Sequence, residues 1–184
     1  MKKLYALFTT LFVSLVMISA AQAASFEEGK HYVKIKGIAS KGKEVTEYFS
    51  FYCPACFRQE VFMKDIAASL PAGVTFNKSH VSGLPGRDEN LEKALTTALV
   101  VAKKLGKVKE FVEKVFEQIH VKRDLFKSTE DIANLAASTG IPKDKFGKAL
   151  KSFAVNMQAK TMMKNNATLK SQGISGVPSI IVNG

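Results

Sequence analysis

The chain has 184 residues and a formal charge of +11, with Lys and Arg (27) well in excess of Asp and Glu (16), and 46% of it is hydrophobic. A chain of this length can bury its own core without covalent staples, so its two cysteines, Cys53 and Cys56, are not needed as a stabilising framework. The positive charge raises nucleic-acid binding, but the lysines are spread through predicted helices with no aromatic interleaving. A solvated basic surface, weakly attractive to anionic membranes or acidic partners, is the better reading.

Residues 1–23 read as a signal peptide. Lys2 and Lys3 form the charged start, Leu4 to Ile18 the apolar centre, and Ala21-Gln22-Ala23 the cleavage site. The apolar centre, about fifteen residues, is short of the ~20 that a spanning helix needs, which argues against a membrane anchor. No second apolar run of spanning length follows, so export of a soluble protein is expected, into a compartment where disulfides persist. The mature chain from Ala24 keeps a charge of +9 and has the length of one domain, with room for an inserted subdomain. Its first element is a short strand, Tyr32 to Ile38, followed by a Gly- and Lys-rich turn.

The most informative stretch is Phe51-Tyr52-Cys53-Pro54-Ala55-Cys56. A β-branched and aromatic segment, Val45 to Tyr52, precedes it and predicts a strand. After it, Val61, Phe62, Ile66 and Leu70 recur at helical spacing, and Pro54 falls where a helix tolerates proline, in its first turn. Cys53 is thus expected at a helix N-terminus, where unpaired N–H groups and the helix dipole favour a thiolate. Two plainer readings compete with a thiol–disulfide exchange site. A structural disulfide closing so short a loop stabilises by only roughly 2 kcal/mol in the loop-entropy model. A closed zinc site needs two more ligands, and His31, His80 and His120 are scattered through the chain.

By strand periodicity, Glu47 shares a face with Val45, Phe49 and Phe51. The next strand, Val74 to His80, carries Lys78 in phase with Val74 and Phe76. Opposite charges on two apolar faces are either a buried pair beneath the cysteines or two unrelated surface groups. Val81 to Arg87 is a Gly- and Pro-marked loop. Helices follow over Glu89 to Leu105 (capped by Asp88), Lys107 to His120, and Ser128 to Ser138, where Ser128 and Asp131 resemble a capping box. Another starts at Pro142 and runs through Phe146, Leu150 and Phe153 with a break near Ser152, and helix continues to Leu169. The end, Gly173 to Gly184, is a Gly-rich loop entering a strand at Pro178, where a trans peptide bond is the ordinary state.

Strand, C-x-x-C, helix, strand, helical block, Gly176-Val177-Pro178 and strand: this order resembles the DsbA family of exported thiol–disulfide oxidoreductases. The specific parts are Phe49-Ser50-Phe51-Tyr52-Cys53-Pro54-x-Cys56 and Gly176-Val177-Pro178. The resemblance implies an α/β, thioredoxin-like fold split over residues 24–82 and 170–184, with a helical subdomain inserted at 83–169. It makes Cys53 the nucleophile, Cys56 the resolving cysteine, and Pro178 a cis-proline against them. Val177, Pro54 and Ala55 fall at the substrate-binding surface. Glu47 matches a buried acid handling the Cys56 proton, Lys78 its basic neighbour, and Glu60 an acid with a lesser electrostatic role. Two features depart from the family pattern. Its best-known member has histidine where this chain has Ala55, and the Asn183-Gly184 turn signal has no strand or helix after it, so a truncated C-terminus is expected.

The function so implied is a periplasmic enzyme that donates its Cys53–Cys56 disulfide to cysteines of newly secreted, unfolded proteins. It needs neither metal nor cofactor, acts as a monomer, and is reoxidised by a quinone-linked membrane protein of the DsbB type. The alternatives are an isomerase or reductase of the same superfamily and a non-enzymatic holdase. Isomerases usually add an N-terminal dimerisation domain, for which Ala24 to Val45 has no room, and reductases usually carry tryptophan where this chain has Tyr52.

Overall fold

The computed structural model describes residues 26–37 and 39–184, and the expected signal peptide lies outside them. The described residues divide into two units between Ile35 and Lys36. In the first, Glu28 and Tyr32 form an isolated bridge, and the Glu27 N–H donates to His31 Nδ1 at 3.0 Å. The strand expected from Tyr32 onward does not form over residues 32–37. Val33 is 70% exposed, so the alternation there has no core face to serve.

The second unit is built on a three-stranded sheet of order β2-β1-β3. Strand β1 (Glu44–Phe49) is central, and its β-branched and aromatic residues alternate as expected, with Val45, Glu47 and Phe49 buried. Helix α1 (Pro54–Ser69) makes the crossover to β2 (Thr75–His80), which pairs parallel to β1 and sets Lys78 opposite Glu47. Strand β3 (Ser179–Val182) pairs antiparallel on the other side, with Ile180 opposite Glu47. Glu47 is therefore at the middle of the sheet's central strand.

Helices occupy the chain between β2 and β3. Asp88 caps α2 (Glu89–Lys104) by accepting the Leu91 N–H, and α3 (Val108–Phe116) runs into a π-helical turn (Glu117–Val121). The Ser128–Asp131 capping box opens α4 (Thr129–Ser138). Beyond it come α5 (Lys143–Leu150), α6 (Phe153–Met162), and α7 (Asn165–Ser171), the break falling at Ser152 as the sequence suggests. No described helix is long and apolar enough to cross a membrane.

One core joins the sheet to the helices. Phe49 and Phe51 pack there with Leu95, Leu99, Phe111, Phe116 and Ile132, and Cys53 and Cys56 belong to the same cluster. Two periodic stripes turn out differently from their helical signal. On α1 the buried face is Cys56, Glu60 and Met63, while Val61 and Phe62 are exposed. Glu60 is drawn inward by an ion pair to Lys78, which rotates the apolar stripe toward solvent. Phe153, expected in the core, begins α6 and is 80% exposed.

Candidate active site

Cys53 is the N-cap of α1 and Pro54 its first helical residue, the arrangement read from the motif. The Cys56 backbone N–H donates to Cys53 Sγ at 3.2 Å, so the helix's first turn offers a donor to any negative charge on that sulfur. On its other side the Cys53 thiol donates to the Val177 carbonyl at 3.5 Å. Both cysteines are reduced. They differ in access, with Cys53 keeping 9% of its surface and Cys56 none. Burial pushes the Cys56 thiol far up, helped by the neighbouring Cys53 and the Glu47 charge. Pro54 is exposed, and Ala55 half-buried against the core. The Val177–Pro178 peptide is cis, not the ordinary trans state, and the Cys53–Val177 contact sets β3's entry loop, 124 residues away in sequence, against Cys53.

The opposite charges read from the two strands do meet. Lys78 Nζ lies 2.5 Å from Glu47 Oε2 and 2.7 Å from Glu60 Oε2, with the ammonium also 4.9 Å from the Phe49 ring centroid. Glu60 thus joins Glu47 and Lys78 in a buried triad. Its signal was present in the Cys56, Glu60, Met63 spacing, which defines one helical face. Two carboxylates share one ammonium, so the cluster carries excess negative charge. Burial raises Glu47 above the ordinary carboxylate range, Lys78 opposes this, and the Glu60 charge adds a smaller upward push. Glu47 Oε1 has no hydrogen-bond partner. That is the expected state of a carboxyl able to hold a proton beneath Cys56.

Three further residues, to none of which the sequence reading assigned a part in the site, also shape it. Ser50 is fully buried; its carbonyl accepts the Cys53 N–H at 3.1 Å, closing the turn between β1 and α1. His120 bonds the Phe51 carbonyl at 2.8 Å and stacks on Phe57 with ring centroids 5.0 Å apart. It reaches there from the π-helical turn, whose wider winding is not readable from a helical period. Glu92 is buried on α2 and accepts the Gly83 N–H at 2.6 Å, anchoring the loop after β2. Its in-phase spacing with Leu95 and Leu99 was the available clue. No group of side chains suited to hold a metal occurs among the described residues.

A cysteine at a helix cap that keeps a remnant of exposure, a fully buried second cysteine one turn on, and a cis-proline loop against Cys53 define a thioredoxin-type redox site. A family model described as a DSBA-like thioredoxin domain matches residues 44–184. This chain belongs to the DsbA-like thioredoxin family. It is 36% identical to the thiol:disulfide interchange protein DsbA of Haemophilus influenzae over 175 residues, which is 94% of this chain and 81% of the relative. It is 32% identical to Escherichia coli K12 DsbA over 173 residues, covering 92% of this chain and 80% of that one. Among solved structures, Proteus mirabilis DsbA superposes with a TM-score of 0.72 at 26% identity, over 89% of this chain and 84% of that chain. Pseudomonas aeruginosa DsbA gives 0.67 at 27% identity, over 88% and 82%. The α/β, thioredoxin-like fold and the thiol:disulfide oxidoreductase activity follow from membership of this family.

Proposed function

We propose that the chain is a periplasmic disulfide donor whose Cys53–Cys56 disulfide is passed to cysteine pairs of unfolded secreted proteins. The observation that carries this is the asymmetry of the two cysteines, one at a helix cap with a remnant of exposure and one sealed beneath it. In the oxidised enzyme, a substrate thiolate attacks Cys53 Sγ. The Cys53–Cys56 bond breaks, a substrate–Cys53 bond forms, and Cys56 leaves as a thiolate. Burial disfavours that thiolate, so it takes a proton at once, and Glu47, itself raised by burial, is the group that supplies it. The substrate's second thiolate then attacks the substrate sulfur of the mixed disulfide and expels Cys53. Two electrons have moved from substrate to enzyme, and no cofactor takes part.

On this reading the Val177 carbonyl and N–H pair with an extended substrate segment laid beside Cys53, over Pro54 and Ala55. Residues 24–82 and 170–184 make the thioredoxin-like part and 83–169 the inserted helices. Export uses the signal peptide at 1–23, the enzyme works as a monomer, and a DsbB-type quinone-linked membrane protein restores the disulfide.

Trapping tests the mechanism. Cys56→Ser, loaded with a reduced cysteine-pair peptide through a mixed disulfide at Cys53, should hold the adduct for mass spectrometry, whereas Cys53→Ser should form none. Equal trapping by both variants would overturn the assignment of Cys53 as nucleophile. Insulin reduction that is lost in Cys53→Ala supports thiol exchange, whereas equal suppression of insulin aggregation by the natural chain and Cys53→Ala, with no catalysed reduction by either, would replace it with a holdase reading.

A further inference from the structure

The loop after β2 brings a free cation to the residue adjoining the nucleophile. Arg87 lies over the ring of Tyr52, with its guanidinium carbon 4.7 Å from the centroid, and Tyr52 immediately precedes Cys53. Arg87 is exposed and takes part in no ion pair among the described residues. Two nearby carboxylates are already engaged. Asp88 caps α2 through the Leu91 N–H, and Glu92 is buried and bound to the Gly83 N–H. Glu89 is on the exposed first turn of α2.

The loop that carries this cation is held at several points. The Val81 N–H donates to the Phe49 carbonyl at 2.7 Å, and the Arg87 N–H to the Leu84 carbonyl at 3.3 Å. Leu84 packs against the cluster that contains Tyr52, Cys53 and Cys56. Gly83 and Gly86 have φ of +85° and +74°, conformations that need glycine and give the loop its shape. A planar guanidinium resting on an aromatic ring is ordered before any ligand arrives, and its N–H fork suits a carboxylate.

We infer that Arg87 is a specificity-determining residue that favours substrates with an acidic side chain next to the reacting cysteine. This rests on the proposal that substrate thiolates attack Cys53. The carboxylate pairs with Arg87 while the neighbouring cysteine's thiolate meets Cys53 Sγ. No chemistry is added to the exchange; the pair raises the rate at which the correct encounter forms.

The test is the rate at which oxidised enzyme is reduced by dithiol peptides identical except for Glu, Gln or Lys beside the attacking cysteine, followed by acid quench and mass spectrometry. Dithiothreitol is the charge-free control. At low salt the Glu peptide should react roughly threefold faster than the Lys peptide, in line with an exposed ion pair, and this preference should fade at high salt. Arg87→Gln should bring the ratio to about one, Arg87→Glu should invert it, and Arg87→Lys should keep part of it, all with dithiothreitol rates unchanged. Equal rates for the Glu and Lys peptides in the natural enzyme, with normal dithiothreitol reduction, would overturn the role of Arg87 and leave the exchange site intact. A preference that persists in Arg87→Gln would overturn it as well. Dithiothreitol reduction that proceeds without modifying Cys53 would instead remove the reading on which it rests.

Discussion

One contribution to acid destabilisation of this fold comes from His80. Its ring is fully buried, with Phe49 and Phe51 ring centroids 5.7 Å and 4.9 Å away. The Thr96 hydroxyl has a single proton and donates it to the Glu92 carbonyl at 2.9 Å. The 2.8 Å contact between His80 Nδ1 and Thr96 Oγ1 therefore has the imidazole as donor. The neutral ring carries its proton on Nδ1, and Nε2, which has no partner, is the bare nitrogen. A second proton would put an N–H and a full charge into an aromatic pocket, and burial accordingly lowers His80 to about 3 from its ordinary 6.5. Below pH 6.5 the unfolded chain binds a proton that the folded chain refuses. Stability is thus complete above pH 6.5 and is lost progressively as pH falls toward about 3. The loss is about 1.4 kcal/mol at pH 5.5 and about 2.7 kcal/mol at pH 4.5, values that depend on the unfolded pKa alone while pH stays above the folded one. Glu47 and Glu92, both raised by burial, act in the opposite sense. They are common to the natural chain and to His80→Gln, which cannot take up the proton, so they cancel in the difference. Urea unfolding of both proteins at pH 7, 5.5 and 4.5 measures it. The stability advantage of the natural protein over His80→Gln should shrink by about 2.5 kcal/mol between pH 7 and 4.5. A constant difference across that range would refute the neutral, Nδ1-protonated assignment.

Removing the shared ammonium by Lys78→Met leaves two buried carboxylates unpaired and should cost on the order of 3–5 kcal/mol in denaturant unfolding. Adding Glu47→Gln should recover part of that loss, so the two changes will not be additive, whereas strict additivity would mean the pair does not interact. Glu47→Gln alone should slow the exchange steps at Cys56, read as slower resolution of a mixed disulfide with an unchanged far-ultraviolet spectrum. Ala55→His should make the enzyme more oxidising, because an imidazolium in the first turn of α1 stabilises the reduced state. Glutathione equilibration reads the shift, each tenfold change in the constant being about 30 mV, and an unchanged or lower potential would contradict this account of position 55.

Much of this protein was legible in its residues because the deciding interactions are local. Pro54 two places before Cys56 starts a helix where Cys53 can only be its cap, and Ser128 with Asp131 closes a box within one turn. Period-two alternation put Glu47 on the apolar face of β1, and Asp88, Gly106 and Gly140 mark helix ends by their own backbone preferences. Resemblance to a family supplied the cis state at Pro178, which composition alone would have set as trans. What remained depended on which face of each element meets a neighbour. Helical spacing in α1 is satisfied equally by a Val61–Phe62 stripe inward or outward, and the Glu60–Lys78 pair, between residues on different elements, settles the rotation. The π-helical turn that delivers His120 to the Phe51 carbonyl has no residue signature of its own. Arg87 reads as an ordinary loop cation until the fold lays it on Tyr52. The setting of the cysteine pair is written in adjacent residues, since Cys53, the N-cap, and Pro54, which starts the helix, are neighbours in the chain. The charges around it come from tertiary packing, because an ion pair or a cation over a ring is set by where separate elements meet.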